Sequence, residues 1–554
     1  MKTLATIANP GTFATSGVLV GRKVANAGFL RALLRFGSFE ELCLFTGEQR
    51  EVAPLMELLE GLPGAKDKRL SIRNLLELPQ ALQQGDLSVI HHHAHVGAML
   101  DTIWLRDRHA CRPTPITGQI HSISYPSMLT EYARAVLIGP GTGDAVFCSS
   151  SAGQDALRRC LESVAEPLGR PVPSWQLPIV PLGCDIERLG AGDGPSWRKS
   201  QGLPQDAFIV LCMARFSEHD KMDLFPLVRS FARVRQAVRD SSDEDRPLHL
   251  VLAGARQGTE TPRMLELWAQ FCGVGEHVHL VVDFPEDDKP NLLAAADVFV
   301  SPCDNPQETF GISVVEAMAA GLPLLVSDFD GYRDTATDDV AIRIPTRWIG
   351  DLSALSELGP ILYQRPLHLF LGQSIEVDQD ALVKGMLDLY HNEELRRNLG
   401  RAAAVKAATE YGWRHVIRRY EGVWSDLLEQ PWTAPEVRPR NHPFIMDFTR
   451  HFQAYPTEVV RSIDRRPVCA TPFGQEITRP RNRYPIVGEM RNLLTDEEIT
   501  TYVDQTRTSI LVSELFDQLS ASFPDRARWQ QPHQLAWLIK HGLLCWSSKT
   551  PGNG

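Results

Sequence analysis

Short apolar runs alternate with longer amphipathic stretches through the first ~190 residues. The runs are Leu4–Ile7, Glu41–Phe45, Leu87–Ile90, Pro115–Ile120, Ala145–Phe147 and Leu177–Val180. Strands spaced by helices predict βαβ units and a mostly parallel sheet, an α/β fold. A second series follows at Ala207–Cys212, Leu248–Ala253, Val278–Val282, Val298–Val300 and Pro323–Val326. Between the two series, Leu189–Ser196 is glycine-rich and reads as a hinge. Ligands of such sheets sit at the carboxyl ends of the strands, so a site is expected in a cleft between two sheets. Residues 375–429 read as helical, with periodic stretches at Leu382–Tyr390, Arg397–Tyr411 and Val416–Leu428. The expected units are residues 1–190, 200–430 and 431–554.

The last unit has a different texture. An Arg- and Pro-rich stretch carries Arg438, Arg440, Arg450, Arg461, Arg465, Arg466, Arg479, Arg481 and Arg483. Three helices are expected after it, at Thr495–Gln505, Ser509–Ser520 and Pro532–His541. The first opens on a Thr495/Glu498 capping box, and apolar Leu543–Trp546 follows the third. This order predicts a small helical, winged-helix-like module suited to protein contact or to a homo-oligomer. Its arginines are expected to line the body of the protein.

Composition narrows the function classes. At 554 residues, with 43% hydrophobic and 23% charged, the chain fits a globular protein of several domains. A net charge of −11 argues against nucleic acid as partner. No apolar run reaches the ~20 residues that span a bilayer, and the Met1 end lacks a signal-peptide pattern. The ten cysteines are scattered without a CxxC, as expected of buried thiols in a reducing cytoplasm. No metal site is expected.

Chemistry concentrates in Asn305–Pro323. Two glutamates, Glu308 and Glu316, stand eight positions apart around a Phe310-Gly311 turn, and Gly321-Leu322-Pro323 follows. Gly311 lets backbone amides approach an anion, Ile312–Ala320 reads as a helix, and Gly321 and Pro323 end it. Glu308 therefore precedes a helix N-terminus that attracts phosphate, and Glu316 lies about one turn inside. Upstream, Arg215 and Lys221 follow the strand that ends near Ala214 and point toward the expected cleft. Two fixed cations there can stabilise growing negative charge without a metal. In the first half, Asn9–Lys23 contains Gly17 and Gly21 after the first strand but no GxGxxG fingerprint. His121 ends another strand. Four histidines lie within His91–His95; strand alternation would divide them between two faces, which favours cleft lining over a metal site.

The string from Glu308 to Pro323 resembles the E-x7-E motif of retaining glycosyltransferases with the GT-B fold, above all glycosyltransferase family 4. Arg215 and Lys221 look like that family's Arg-x5-Lys pair, Val180–Asp185 like its Pro-x-Gly-x-Asp turn, and Asn291–Val298 like the segment entering the motif loop. The resemblance covers roughly residues 1–430 and is strongest over 205–335. It implies two Rossmann-like domains facing a cleft, and transfer of a hexosyl group from a nucleotide diphosphate sugar with retained anomeric configuration. It makes Arg215, Lys221, Glu308 and His121 catalytic. Gly17, Arg215, Lys221, Thr309, Phe310, Gly311, Ile312 and Glu316 become the donor-binding set. Glu308 is implied to touch the sugar, Glu316 the ribose, and Asp283 with Phe284 the base. No cofactor or metal is implied. The acceptor, whether sugar-containing, lipid-linked, peptide or small molecule, is left open. Competing readings are a sugar phosphorylase or sugar-phosphate synthase on the same scaffold, and a catalytically silent binding subunit.

Overall fold

The computed structural model describes all residues except 14–20, 94–96, 139–142, 220, 242–245, 258–259, 363, 432–443, 461, 479–485, 487, 525 and 549–554. Gly17, His95, Arg438, Arg440, Arg461, Arg479, Arg481 and Arg483 lie outside the described residues.

Two six-stranded parallel sheets form the body. The first has the order β3-β2-β1-β4-β5-β6, from β1 (Thr3–Ile7), β2 (Glu41–Thr46), β3 (Arg69–Asn74), β4 (Val89–His92), β5 (Ile116–Gln119) and β6 (Ala145–Phe147). The second repeats the pattern as β12-β11-β10-β7-β8-β9. Its strands are β7 (Phe208–Met213), β8 (Leu248–Gly254), β9 (Val278–Val282), β10 (Val298–Ser301), β11 (Leu324–Ser327) and β12 (Ala341–Ile344), and a short antiparallel pair, β13 (Thr346–Trp348) with β14 (Ile375–Val377), follows it. Each order reverses once, between β1 and β4 and between β7 and β10. Such a switch point opens a crevice at the carboxyl ends of the two strands. The central strands are buried on both faces, which is why they read as unbroken apolar runs.

Three expectations need correction. Leu177–Val180 is not a strand; the segment makes single bridges, Ala145 to Gln176 and Cys148 to Ile179. Edge strands β3 and β12 were not anticipated, because Arg69, Arg73 and Arg343 break their apolar pattern. The glycine-rich hinge is a tight packing surface. A Cβ on Gly192 would lie 2.0 Å from the Pro290 carbonyl oxygen, and one on Gly194 2.3 Å from that of Ala294. These glycines let the backbone press on the helix Lys289–Ala294, where any side chain would collide.

The chain then crosses back. The helix Trp413–Glu429 belongs to the core of the first sheet, with Val416, Ile417, Tyr420 and Trp424 buried among Phe29, Leu33 and Phe147. Its polar atoms are anchored too, since Tyr420 donates to Gln119 (3.1 Å) and Trp424 Nε1 to Thr117 (3.2 Å). Gly183 makes this crossing possible, because a Cβ there would enter the Trp413 ring.

Beyond it stands a separate small core around Val468, Tyr502, Leu515 and Leu538. It joins the helices Asp496–Gln505, Val512–Ser522 and Gln531–Lys540 to an antiparallel sheet, β16-β15-β17, formed by Ile510–Leu511, Pro467–Ala470 and Leu544–Trp546. The Thr495/Glu498 capping box is present. The central strand of this sheet, β15, comes from upstream of the helices.

Candidate active site

Both cations and the glutamate loop emerge at the β7/β10 switch point. β7 delivers Arg215 and Lys221, and β10 leads through Cys303–Asn305 to Glu308. Asn305 is fully buried and ties the two loops together. Its Nδ2 donates to the carbonyls of Glu218 and His219 (3.4 and 2.9 Å), and its Oδ1 accepts from the Gln307 amide (3.1 Å).

Glu308 orders the loop that leads into the next helix. Its Oε1 accepts from the amides of Thr309, Phe310 and Gly311 at 3.2, 3.3 and 2.9 Å, while Oε2 pairs with the Lys221 ammonium. Gly311 stands at φ 86°, and a Cβ there would fall 2.1 Å from the Tyr332 ring, so only glycine fits. Burial pushes the Glu308 carboxyl up, but Lys221 and the loop amides outweigh it and hold it below its ordinary value. Burial lowers Lys221, and Glu308 overcomes that to hold it above its ordinary value, with Arg215 acting as a nearby like charge. Arg215, Lys221 and Glu308 together carry a net positive charge, suited to an anion.

Glu316 is buried one turn into the helix Ile312–Ala319. Its Oε1 accepts from Lys289 Nζ at 2.8 Å, and Lys289 also reaches Glu286 at 2.8 Å. Burial outweighs Lys289 and leaves the Glu316 carboxyl above its ordinary value. Phe310 is buried and Ile312 half-buried. Among the described residues, Asp283 and Asp330 are the non-glycine residues with positive φ, at 56° and 45°; Asp283 follows β9 and Asp330 lies in the loop after β11. Asp283 is held by Arg256.

The first sheet faces this loop directly. Ser149 and Ser150 both donate to the Thr309 carbonyl (3.1 and 2.8 Å), Ser122 to that of Gln307 (3.2 Å), and Tyr125 to Gln307 Oε1 (2.8 Å). His121 precedes these contacts, and its Nε2 donates to the His93 carbonyl at 2.9 Å. His91, His92 and His93 are buried. His91 packs among Phe29, Phe147, Tyr420 and Trp424, and His93 against Phe13 and Phe29. Burial holds His91 well below its ordinary value, pulls His92 down to about 4 and, aided by neighbouring histidines, His93 to about 3. Among the described residues no cluster of three or more His, Cys, Asp or Glu could hold a metal ion.

Sequence reasoning therefore found the charges at the switch point but missed Lys289, Ser149, Ser150, Tyr125 and Gln307. Lys289 follows Glu286-Asp287-Asp288 in a charged stretch whose sequence does not mark its partner. The others act across 159 to 182 residues of chain, where a single sequence carries no pairing signal.

Residues 193–353 match the family described as glycosyl transferases group 1. Among curated relatives, a D-inositol 3-phosphate glycosyltransferase of Geodermatophilus obscurus is 31% identical over 29% of this chain and 35% of its own length. A D-inositol 3-phosphate glycosyltransferase 1 of Catenulispora acidiphila is 24% identical over 68% of this chain and 84% of its own. A GDP-mannose-dependent alpha-(1-6)-phosphatidylinositol monomannoside mannosyltransferase of Mycolicibacterium smegmatis is 29% identical over 33% and 48%. The chain thus spans about a third to a half of two of these relatives and most of the other. Similar solved structures include sucrose-phosphate synthase from Thermosynechococcus elongatus, with a TM-score of 0.52 and 17% identity over 77% of this chain and 99% of that one. Anabaena HepE in complex with UDP gives 0.52 and 14% over 77% and 100%. These likenesses show the fold, which is GT-B.

Proposed function

We propose that this chain, which carries a group 1 glycosyltransferase domain of GT-B fold, moves a hexosyl group from a nucleotide diphosphate sugar to a hydroxyl acceptor with retention of configuration. The observation that carries the reading is the convergence of Arg215, Lys221 and the Glu308–Gly311 loop at the β7/β10 switch point. The activities for which the relatives are named, all glycosyl transfers, support the reaction class.

In this reading Arg215 and Lys221 hold the diphosphate and offset the charge it gains as the glycosidic bond breaks. The start of the helix Ile312–Ala319 points its dipole at the same place. Glu308, already oriented by three amides, meets a sugar hydroxyl. Glu316, fixed by Lys289, accepts from the ribose. No protein nucleophile is required: the departing phosphate takes the acceptor proton on the face where the acceptor adds. The contacts from Ser122, Tyr125, Ser149 and Ser150 close the cleft and keep water from competing.

The test is a screen of UDP-, GDP- and ADP-sugars for donor turnover. Arg215→Ala is expected to lower kcat by roughly 100-fold, the cost of one preorganised donor in such a site. Glu316→Ala is expected to raise the donor KM. Wild-type turnover by Arg215→Ala, or no turnover of any donor by the wild type, overturns the assignment.

A further inference from the structure

The small C-terminal sheet holds two thiols side by side. Cys469 on β15 and Cys545 on β17 are direct antiparallel partners, and their sulfurs are 3.6 Å apart. The register supports covalent closure. The Thr471 amide donates to the Leu543 carbonyl and the Ser547 amide to that of Pro467, two residues to either side. Alternation then makes Cys469 and Cys545 a hydrogen-bonded pair, whose Cα atoms lie about 5.5 Å apart. That spacing is within the range disulfides span, about 4.4–6.8 Å. Cys545 is exposed and Cys469 half-buried, so an oxidant can reach them. Their sheet neighbours Val468, Ala470 and Leu544 point into the core and leave the two sulfurs on the outer face. The eight other cysteines provide a contrast. Cys43, Cys148, Cys184, Cys212 and Cys303 are buried, Cys160 and Cys272 are half-buried, and Cys111 is exposed.

We propose that Cys469 and Cys545 form a redox-active dithiol that takes a small-molecule disulfide as oxidant and closes to a cystine stapling β15 to β17. One cysteine thiolate attacks a sulfur of the oxidant, such as glutathione disulfide, and expels one glutathione thiolate. The second cysteine thiolate attacks the protein sulfur of that mixed disulfide and expels the other. Two protein thiols are oxidised, one disulfide is reduced to two thiols, and the two cysteine protons end on the two glutathiones. The cystine links residues 76 positions apart in the chain and so encloses most of the C-terminal module. It constrains the unfolded state of that module and raises its unfolding temperature.

The experiment equilibrates the full-length protein in glutathione buffers of graded ratio, quenches it with an alkylating agent, and reads digest masses. The expected result is a single cross-linked peptide pair, 469 with 545, that appears with one midpoint and disappears with excess dithiothreitol. Thermal unfolding of the C-terminal module should rise by several degrees on oxidation, and Cys469→Ser or Cys545→Ser should abolish both changes. In each variant the remaining cysteine should instead collect a mixed disulfide, as is expected of the exposed Cys111 in the wild type. Three outcomes overturn the proposal: both thiols alkylated under oxidised glutathione, stable mixed disulfides at 469 and 545 in the wild type, or disulfides between two copies of the chain.

Discussion

Lys221 and Glu308 are an ion pair in which each side chain is only 16% and 13% exposed. Removing one partner strands the other charge, which costs about 3–5 kcal/mol for buried pairs. Lys221→Met and Glu308→Gln should each lower urea-derived stability by that order, and the double variant should recover most of the loss. Additive losses would show that the two act separately. The histidine run makes a second residue-scale prediction. An unfolded histidine binds its proton near pH 6.5, whereas buried His92 does so only at about 4. Between those values the unfolded chain holds more protons, so stability falls as pH falls. The loss is about 1.4 kcal/mol per pH unit, roughly 2 kcal/mol at pH 5 from this residue. His92→Gln removes the term. The stability gap between wild type and variant should therefore shift by that amount in the variant's favour from pH 7.5 to 5, measured by urea unfolding at both pH values. An unchanged gap would mean that His92 is protonated in the fold. Lys221 and Glu308 were legible from their places after strands and from the resemblance of their motifs to the family's; that His91–His93 would be interior was not, because histidine periodicity does not report what covers a strand end.

At the scale of elements, legibility followed burial. Strands β7, β8 and β10 are covered on both faces and stood out as apolar runs. Edge strands β3 and β12 carry arginines at exposed or half-buried positions, so their apolar pattern is broken. The helix Ile312–Ala319 was legible at both ends because Gly311 and Gly321 each adopt positive φ, 86° and 75°. The glycines of the supposed hinge were misread, since sequence does not distinguish a glycine that bends from one that lets two backbones touch. Alanine substitution separates the two uses. Gly192→Ala forces a Cβ against the Pro290 carbonyl and should cost about 1–3 kcal/mol through overpacking. Gly422 lies inside the helix Trp413–Glu429 with nothing within 4 Å of a Cβ, so Gly422→Ala should gain about 0.5–1 kcal/mol. Denaturant midpoints of the two variants should move in opposite directions; a harmless Gly192→Ala would restore the hinge reading.

At the scale of the whole molecule, ties of two different characters join the two sheets among the described residues. One is the helix Trp413–Glu429, whose Trp424 and Tyr420 are buried in the core of the first sheet and so form a permanent tie. The other is the polar contact across the cleft, where Ser122, Tyr125, Ser149 and Ser150 grip the backbone and side chain of Gln307–Thr309, Ser124 meets His368 at 2.9 Å, and Ser151 donates to Asp334 at 2.6 Å. Hydrogen bonds of this kind contribute about 0.5–1.5 kcal/mol each, so they can be made and released while the apolar tie stays intact. The cleft should therefore open by loss of the polar set alone, with the crossing helix as pivot. Tyr125→Phe combined with Ser149→Ala removes two of these bonds and spares Ser150, which also caps the helix Ser151–Leu168. Hydrogen exchange should then accelerate together in peptides 121–126 and 305–312, by about tenfold for each ~1.4 kcal/mol removed. Peptides of the 413–429 helix should keep their protection. Faster exchange confined to one side would mean that the contacts are local and do not hold the sheets together. Loss of protection in the crossing helix would mean that the two ties unfold as one.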